Sequence, residues 1–367
     1  VSRFEALRRR LRLRTRLRNA REAVHQLSPL FSYGFWGKGH RRVLTNVTFY
    51  ATNLCDSRCI HCGFWQQRPV LHLSPEVFQR VHDSPATDID TVFGFEGGEF
   101  PLHPQADEIL EIFRGRKIEL YANGLKPELT KALVRKHSIP HLILSLDGRK
   151  ETYRKIRGVD GFDRVTALAA EMARETLVSI SYTLSPWNDL DDFQFVRQFC
   201  QRHGITFGLN ILHNATFFHP DFDYSEQALS PEEFQMQPIP FAAEEHFQGD
   251  HPVKLDYFLG YNEWLRGNLH VPCTSIFHRI VVFANGDIPL CQKGDFGILG
   301  NLYEQSLEEI WWSRETLARQ KRRIRCNACW ISFHRYDDLF MYRAMKTLLP
   351  ERWIRFWMKH AKGRAPS

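Results

Sequence analysis

The sequence has little that would carry it into or across a membrane. Its 367 residues contain no long uncharged apolar run, so no membrane-spanning helix is expected. The first residues are crowded with arginine and lack the apolar core of an export signal, which makes a cytoplasmic location the expectation. No nucleic-acid-binding module accompanies the basic charge, and no nucleic acid partner is expected. Cysteine is scarce at eight residues, but seven of them fall in two groups, and in a reducing compartment such groups are metal ligands more readily than disulfides. What is plentiful is apolar content, 43%, enough for one large or two modest cores. The formal charge of +7 is concentrated at the ends. Residues 1–40 read as a basic helical leader with Phe4, Leu7 and Leu11 on one stripe, and residues 333–367 as basic amphipathic helices carrying Leu339, Phe340, Tyr342, Met345, Leu349, Trp353, Ile354 and Trp357. Such segments suit peripheral contact with an anionic membrane, or are the solvated faces of helices packed on the domain.

The chemistry begins at Asn46, where an apolar strand runs into Cys55, Cys59 and Cys62, spaced CxxxCxxC. Three thiolates on one loop can hold three corners of an iron-sulfur cube and leave one iron open to a small molecule. The same thiols could be part of a zinc site. The spacing, following a first strand, resembles the radical S-adenosylmethionine (SAM) superfamily, with His61 where that family usually has an aromatic residue. The resemblance implies a [4Fe-4S] cluster on these cysteines and SAM on its open iron, cleaved reductively to a 5'-deoxyadenosyl radical that removes a hydrogen atom from substrate.

Downstream, short apolar strands alternate with helical segments. Strands are expected near 47–52, 91–96, 118–122, 141–146, 178–184 and 205–211, with helices near 75–82, 105–113, 127–136, 162–174 and 190–203. Ser74 and Pro75 are well placed as N-cap and first residue of the first helix. Alternating βα units imply a parallel sheet. The expected fold class is α/β, a partial (β/α)6 TIM-like barrel resembling that of radical SAM enzymes, followed by a small β-hairpin and helix auxiliary iron-sulfur domain. Motifs fall at the expected strand ends. Gly97-Gly98-Glu99 is similar to the family's GGE, in which the glycines allow close backbone approach to a ligand and the carboxylate receives the SAM amino group. Tyr121-Ala122-Asn123-Gly124 resembles its TNG. Ser145-Leu146-Asp147-Gly148 followed by Arg157-Gly158 resembles its SxDG…RG, which implies that Ser145 and Arg157 approach the SAM carboxylate. Asn188 and Asn210 are candidate ribose or adenine contacts, and His213, His219 and Tyr261 candidate substrate contacts.

The second group is Cys273, Cys291, Cys326 and Cys329. Between the first two, Asn285-Gly286 sits between apolar runs from Ile280 to Leu290 and reads as a tight hairpin that would bring its flanks together. Four thiolates could close a zinc knuckle. They also resemble the opening of SPASM and Twitch domains; the single set implies Twitch, with one fully ligated auxiliary [4Fe-4S] cluster. Cys200, late in an expected helix, reads as a buried inert thiol.

The expected domain order is leader 1–40, radical SAM barrel 41–215, a connecting substrate-side segment 216–268, auxiliary domain 269–332 and C-terminal helices 333–367. The expected function is radical abstraction from a sugar, aminocyclitol or lipid-linked glycan, leading to oxidation or epimerisation, with flavodoxin or ferredoxin as electron donor. No peptide-recognition domain is expected before the barrel and no cobalamin-binding domain is expected, yet a peptide maturase forming a cross-link or oxidised residue is the alternative. A non-catalytic zinc- or cluster-binding scaffold is an alternative of another class.

Overall fold

The computed structural model describes residues 42–212, 238–239, 241, 247, 252–293, 296–323, 326–348 and 352. The basic leader, most of the connecting segment, His213, His219, Leu349, Trp353, Ile354 and Trp357 lie outside the described residues.

Six βα repeats come first: β1 (Asn46–Tyr50), α1 (Pro75–Asp83), β2 (Val92–Glu96), α2 (Ala106–Ile112), β3 (Lys117–Ala122), α3 (Pro127–His137), β4 (His141–Ser145), α4 (Lys150–Arg157), α5 (Phe162–Met172), β5 (Leu177–Leu184), α6 (Leu190–His203) and β6 (Thr206–Ile211). The remainder comprises α7 (Pro252–Leu265), β7 (Arg279–Val282), β8 (Asp287–Pro289), β9 (Ile298–Asn301), α8 (Leu307–Trp311), α9 (Arg314–Arg322) and α10 (Ser332–Leu348). The main sheet is all parallel, in the order β6-β5-β4-β3-β2-β1-β7, and curls into a half-barrel.

Period-two alternation decides what each face of this sheet does. Outward positions are apolar and pack under the helices. Phe49 lies 4.6 Å from Phe78 of α1, and Phe93 4.7 Å from Phe113, ring centre to ring centre, all fully buried. Truncating one such ring to alanine costs about 3–5 kcal/mol. Inward positions are polar instead: Glu96 on β2, Glu119 and Tyr121 on β3, His141 and Ser145 on β4, Ser179, Ser181 and Thr183 on β5 all line one cavity. A closed barrel fills its interior with branched apolar side chains; this one keeps an open hollow with polar and apolar walls.

Three local expectations change. Ser74 is the N-cap residue of α1 and Pro75 follows, but its hydroxyl makes no capping bond; the Ser74 N–H donates to the Tyr303 hydroxyl at 3.0 Å. Helix α4 is not among the expected helices; it forms because Tyr153 and Ile156 bury one face and Gly158, at φ +65°, ends it in the left-handed conformation. The expected hairpin over 280–290 is split. Gly286 does make the tight turn, donating to Phe283 O at 2.8 Å, but β7 leaves to pair in parallel with the open edge of β1, while β8 pairs antiparallel with β9. An open barrel exposes a strand edge, and β7 satisfies it.

Cys200 is buried in the core on α6. Of the expected C-terminal stripe, Leu339 is buried and Phe340 packs against the core. Among the described residues no helix is long and apolar enough to cross a membrane.

Candidate functional site

The loop after β1 is clamped from two sides, which fixes where its cysteines stand. From one side the end of β2 laces onto it: Gly98 N donates to Thr52 O at 2.6 Å and Glu99 N to Leu54 O at 2.8 Å. From the other, Arg58 N donates to Arg157 O at 3.0 Å, Ile60 N to Ile156 O at 2.9 Å, and the Ser57 hydroxyl to Arg157 O at 3.1 Å. The last carbonyls of a helix have no partner within it. Those of α4 are satisfied by the cysteine loop.

Cys55, Cys59 and Cys62 all line the mouth of the polar cavity, whose volume is about 520 Å³. Burial, and then the neighbouring Cys59, pushes the Cys62 thiol up to about 12 and raises Cys55 as well. Crowded buried thiols are protonated unless a cation compensates them, as the irons of a cluster would. Arg157 Nη1 lies 3.6 Å from Cys59 Sγ and Asn123 Nδ2 3.8 Å from Cys55 Sγ, so two donors already point at these sulfurs. The donor set fits an iron-sulfur cluster.

Glu99 is 2% exposed. Its Oε2 accepts from Asn123 N at 2.7 Å, while Oε1 has no partner among the described residues, and burial raises its pKa. A buried carboxylate oxygen left free is an acceptor awaiting a donor. Ser145 and Arg157 are also on the cavity wall, as are Gly97, Gly98, Asn123 and Asn210. Asp147 and Asn188 are not among the lining residues. Asp147, fully buried, accepts from Arg157 Nε at 2.6 Å and Thr183 N at 2.9 Å, so it aims the arginine. Asn188 donates to the Asp147 and Thr183 carbonyls and accepts from Ser185 N, pinning the turn after β5. Tyr261 is 1% exposed in the core beside Trp264, away from the cavity.

Several cavity residues were not singled out in the sequence: Glu96, Glu119, His141, Arg279, Gln292 and Phe333. A signal existed. Polar residues alternate at 119 and 121 and at 179, 181 and 183, in strands that a fully covered parallel sheet would make apolar throughout.

Cys273, Cys291, Cys326 and Cys329 line a second, much smaller hollow together. Cys273 N donates to Cys326 O at 2.8 Å and Lys293 N to Cys291 Sγ at 3.2 Å. Burial raises both Cys273 and Cys329. Arg335 of α10, fully buried, donates to the Cys329 carbonyl at 2.8 Å and pairs with Asp338 at 3.1 Å, placing one positive charge beside these thiols. Among the described residues no three His, Cys, Asp or Glu side chains converge on the position of a single ion. A four-iron cube takes one thiolate per iron and spreads them more widely.

A radical SAM superfamily model matches residues 49–200, and a model of the iron-sulfur cluster-binding domain SPASM matches residues 273–330. No curated protein sequence matches the chain significantly. Among solved structures, Streptococcus suis SuiB bound to precursor peptide SuiA is similar with a TM-score of 0.58 and 16% identity, covering 82% of this chain and 70% of that one. The same protein bound to S-adenosylmethionine gives 0.55 at 15% identity, covering 82% and 71%. A histidine-tagged anSMEcpe with bound AdoMet gives 0.50 at 15%, covering 87% and 99%. At these identities the likeness is one of fold. With both models falling on the two cysteine-bearing segments, the chain belongs to the radical SAM superfamily and carries a C-terminal SPASM domain, a membership that implies a [4Fe-4S] cluster with SAM and an auxiliary iron-sulfur cluster.

Proposed function

We propose that this protein abstracts a hydrogen atom from a polar substrate held in the half-barrel, with Cys55, Cys59 and Cys62 holding the catalytic cluster and Cys273, Cys291, Cys326 and Cys329 one auxiliary cluster. When bound, the first cluster and SAM supply the 5'-deoxyadenosyl radical. The chain's own residues bind and orient. Glu99 Oε1 is free to accept from the SAM ammonium, and Asn123 N fixes the other oxygen. Arg157, held by Asp147, and Ser145 offer donors to the SAM carboxylate, while Gly97 and Gly98 keep the wall close to the cysteine loop. Asn188 acts through the Asp147 turn, and Asn210 lines the same cavity. The division into barrel (41–215), connecting segment (216–268) and auxiliary domain (269–332) is part of this reading.

The observation that carries it is that the three-cysteine loop and Glu99, one of whose oxygens has no partner among the described residues, line the same 520 Å³ cavity as a row of polar strand residues. The row of polar strand residues suits a sugar, aminocyclitol or lipid-linked glycan, oxidised or epimerised. Gln292 next to Cys291 and the segment Ile331–Phe333 after Cys329 form the wall between cavity and second cysteine set, so an auxiliary cluster there would lie within reach of an electron leaving the substrate. Flavodoxin or ferredoxin would provide the first electron. The peptide reading is favoured by the likeness to SuiB, which was solved with its precursor peptide bound.

The test is anaerobic iron and sulfide quantitation of the reconstituted protein, with EPR before and after SAM. About eight irons are expected in the parent and about four in a Cys55/Cys59/Cys62 triple alanine variant. A SAM-sensitive signal and 5'-deoxyadenosine are expected in the parent alone. Iron without any response to SAM would leave a non-catalytic scaffold.

A further inference from the structure

Two carboxylates share one wall of the cavity. Glu96 and Glu119 stand on adjacent strands, Glu96 opposite Tyr50 and Glu119 opposite Gly94 in the register, with both carboxylates on the cavity wall. Glu119 receives one long contact from the Tyr121 hydroxyl, 3.4 Å, and one from His141 Nδ1, 3.3 Å. Glu96 accepts no side-chain hydrogen bond and pairs with no cation among the described residues. The arginines on the same wall form ion pairs with other carboxylates, Arg279 with Asp337 at 2.5 Å and Arg157 with Asp147 at 2.6 Å, and Arg279 Nε has no partner among the described residues. A desolvated carboxylate without a counter-charge is costly, and it persists in folded proteins where a ligand completes it. Burial, and then Glu119, holds Glu96 up at about 8, as expected of that shortage.

An independent observation points the same way. Gln292, 7% exposed and on the same wall, donates through Nε2 to the Tyr50 hydroxyl at 2.6 Å, and its Oε1 has no partner among the described residues. Tyr50 is the register partner of Glu96, so Gln292 is bonded to the residue beside it. Once ionised, the two carboxylates are acceptors only, as is the amide oxygen, and a primary ammonium is a donor only, with three N–H groups. A hydroxyl brings a single donor and no charge to this corner, where an ammonium brings three donors and a positive charge.

We propose that Glu96, Glu119 and the side-chain carbonyl of Gln292 form a subsite for a primary ammonium group of the substrate. The inference rests on reading the half-barrel as the substrate cavity and adds the substrate class: an amino sugar or aminocyclitol, or a lysine side chain if the substrate is a peptide. Carboxylates and ammonium would make charge-assisted bonds, with no bond broken and no electron moved.

The test is ligand binding to the reconstituted, SAM-loaded protein, read by saturation-transfer NMR titration without turnover. One arm compares glucosamine with glucose, the other Nα-acetyl-lysine methylamide with Nα-acetyl-norleucine methylamide. In at least one arm the ammonium probe is expected to bind at least about ten-fold more tightly than its neutral control, with that margin lost in Glu96→Gln and in Glu119→Gln. Which arm binds distinguishes a small amine from a peptide side chain. Far-UV circular dichroism checks each variant; should one fail to fold, the other and the parent's ammonium preference still decide. Equal binding of ammonium and neutral probes, or an unaltered preference in the folded variants, overturns the subsite. 5'-Deoxyadenosine formation by the parent is followed separately. SAM cleavage without ammonium preference sinks the subsite alone, and ammonium preference without SAM cleavage sinks the functional reading and keeps the subsite.

Discussion

At the scale of single residues, two carboxylates at the end of β2 behave differently. Glu99 uses one oxygen to hold Asn123 N and leaves the other free. A charge-assisted hydrogen bond is worth roughly 1.5–3 kcal/mol. Glu99→Gln is therefore expected to weaken SAM binding by about ten- to a hundred-fold, measured by equilibrium dialysis on reconstituted protein. An unchanged affinity would remove Glu99 from the site. Glu96 is held at about 8 against an ordinary 4.5 by burial and Glu119. Because the folded state then binds more protons than the unfolded one, stability falls as pH rises between those values. Its other neighbours do not relieve it: Tyr50 and Tyr121 have hydroxyls raised above their ordinary value and stay neutral, Arg279 is paired with Asp337, and His141 contacts Glu119 and Ser179. Glu96→Gln should raise the thermal midpoint relative to the parent, by a margin that grows from about pH 5 to about pH 8 and then levels off. A margin independent of pH would show that Glu96 is not strained in the folded protein. Glu99 was legible in the sequence because it follows two glycines at a strand end. Glu96 was not, because a lone polar residue ending an apolar strand looks like an ordinary boundary.

At the scale of elements, the glycines do work that spacing alone did not disclose. Gly97 and Gly98 read as room for a ligand, but a Cβ on Gly98 would stand 2.2 Å from Leu54 O, and one on Gly97 2.5 Å from Thr52 O. Their bareness lets the end of β2 press on the cysteine loop. Gly158 does the same from the other side, where a Cβ would meet Arg58 O at 2.4 Å. The RG pair was legible as a motif. Its mechanism, helix α4 ending in carbonyls that the loop satisfies, needed the three-dimensional contact between residues far apart in the chain. The same limit explains the hairpin: Asn285-Gly286 gave the turn correctly, but nothing local said that the open edge of β1 would take β7. Gly158 and Gly204 provide a controlled pair, since both end helices at nearly the same φ, +65° and +66°, and only Gly158 has neighbours within 4 Å of a new Cβ. Gly204→Ala should cost only the left-handed strain, about 1–2 kcal/mol in a urea titration, and keep the full iron content. Gly158→Ala should also displace the loop and lose about half the iron together with the SAM-sensitive EPR signal. Equal iron content in the two variants would mean that the clamp on the loop is not needed to hold the cluster.

At the scale of the whole molecule, α10 ties the two cysteine sets to one cavity. Ser332 bonds to Asn210 of β6, the Tyr336 hydroxyl donates to Leu209 O at 2.7 Å, and Phe333 closes the cavity wall, while Arg335 and Asp338 on the same helix are buried beside the second cysteines. The sequence placed a boundary at 332, the first residue of this helix, because basic and aromatic residues alternate beyond it. The structure instead spends the first turns of that pattern inside, where Arg335 faces Asp338, Asn327 and the carbonyls of Cys329 and Val271. Asp338 in turn accepts from Thr274 N at 2.8 Å and Thr274 Oγ1 at 2.7 Å, immediately after Cys273. Removing one partner of a buried pair strands the other, at a cost of about 3–5 kcal/mol, whereas replacing both with apolar residues of similar volume is often close to neutral. Arg335→Met should therefore destabilise by about that amount in a urea titration, and adding Asp338→Leu should recover part of it, limited by the loss of the Thr274 bonds. Additive destabilisation in the double variant would mean that each residue serves its own backbone partners, and that the ion pair does not join helix α10 to the second cysteine set.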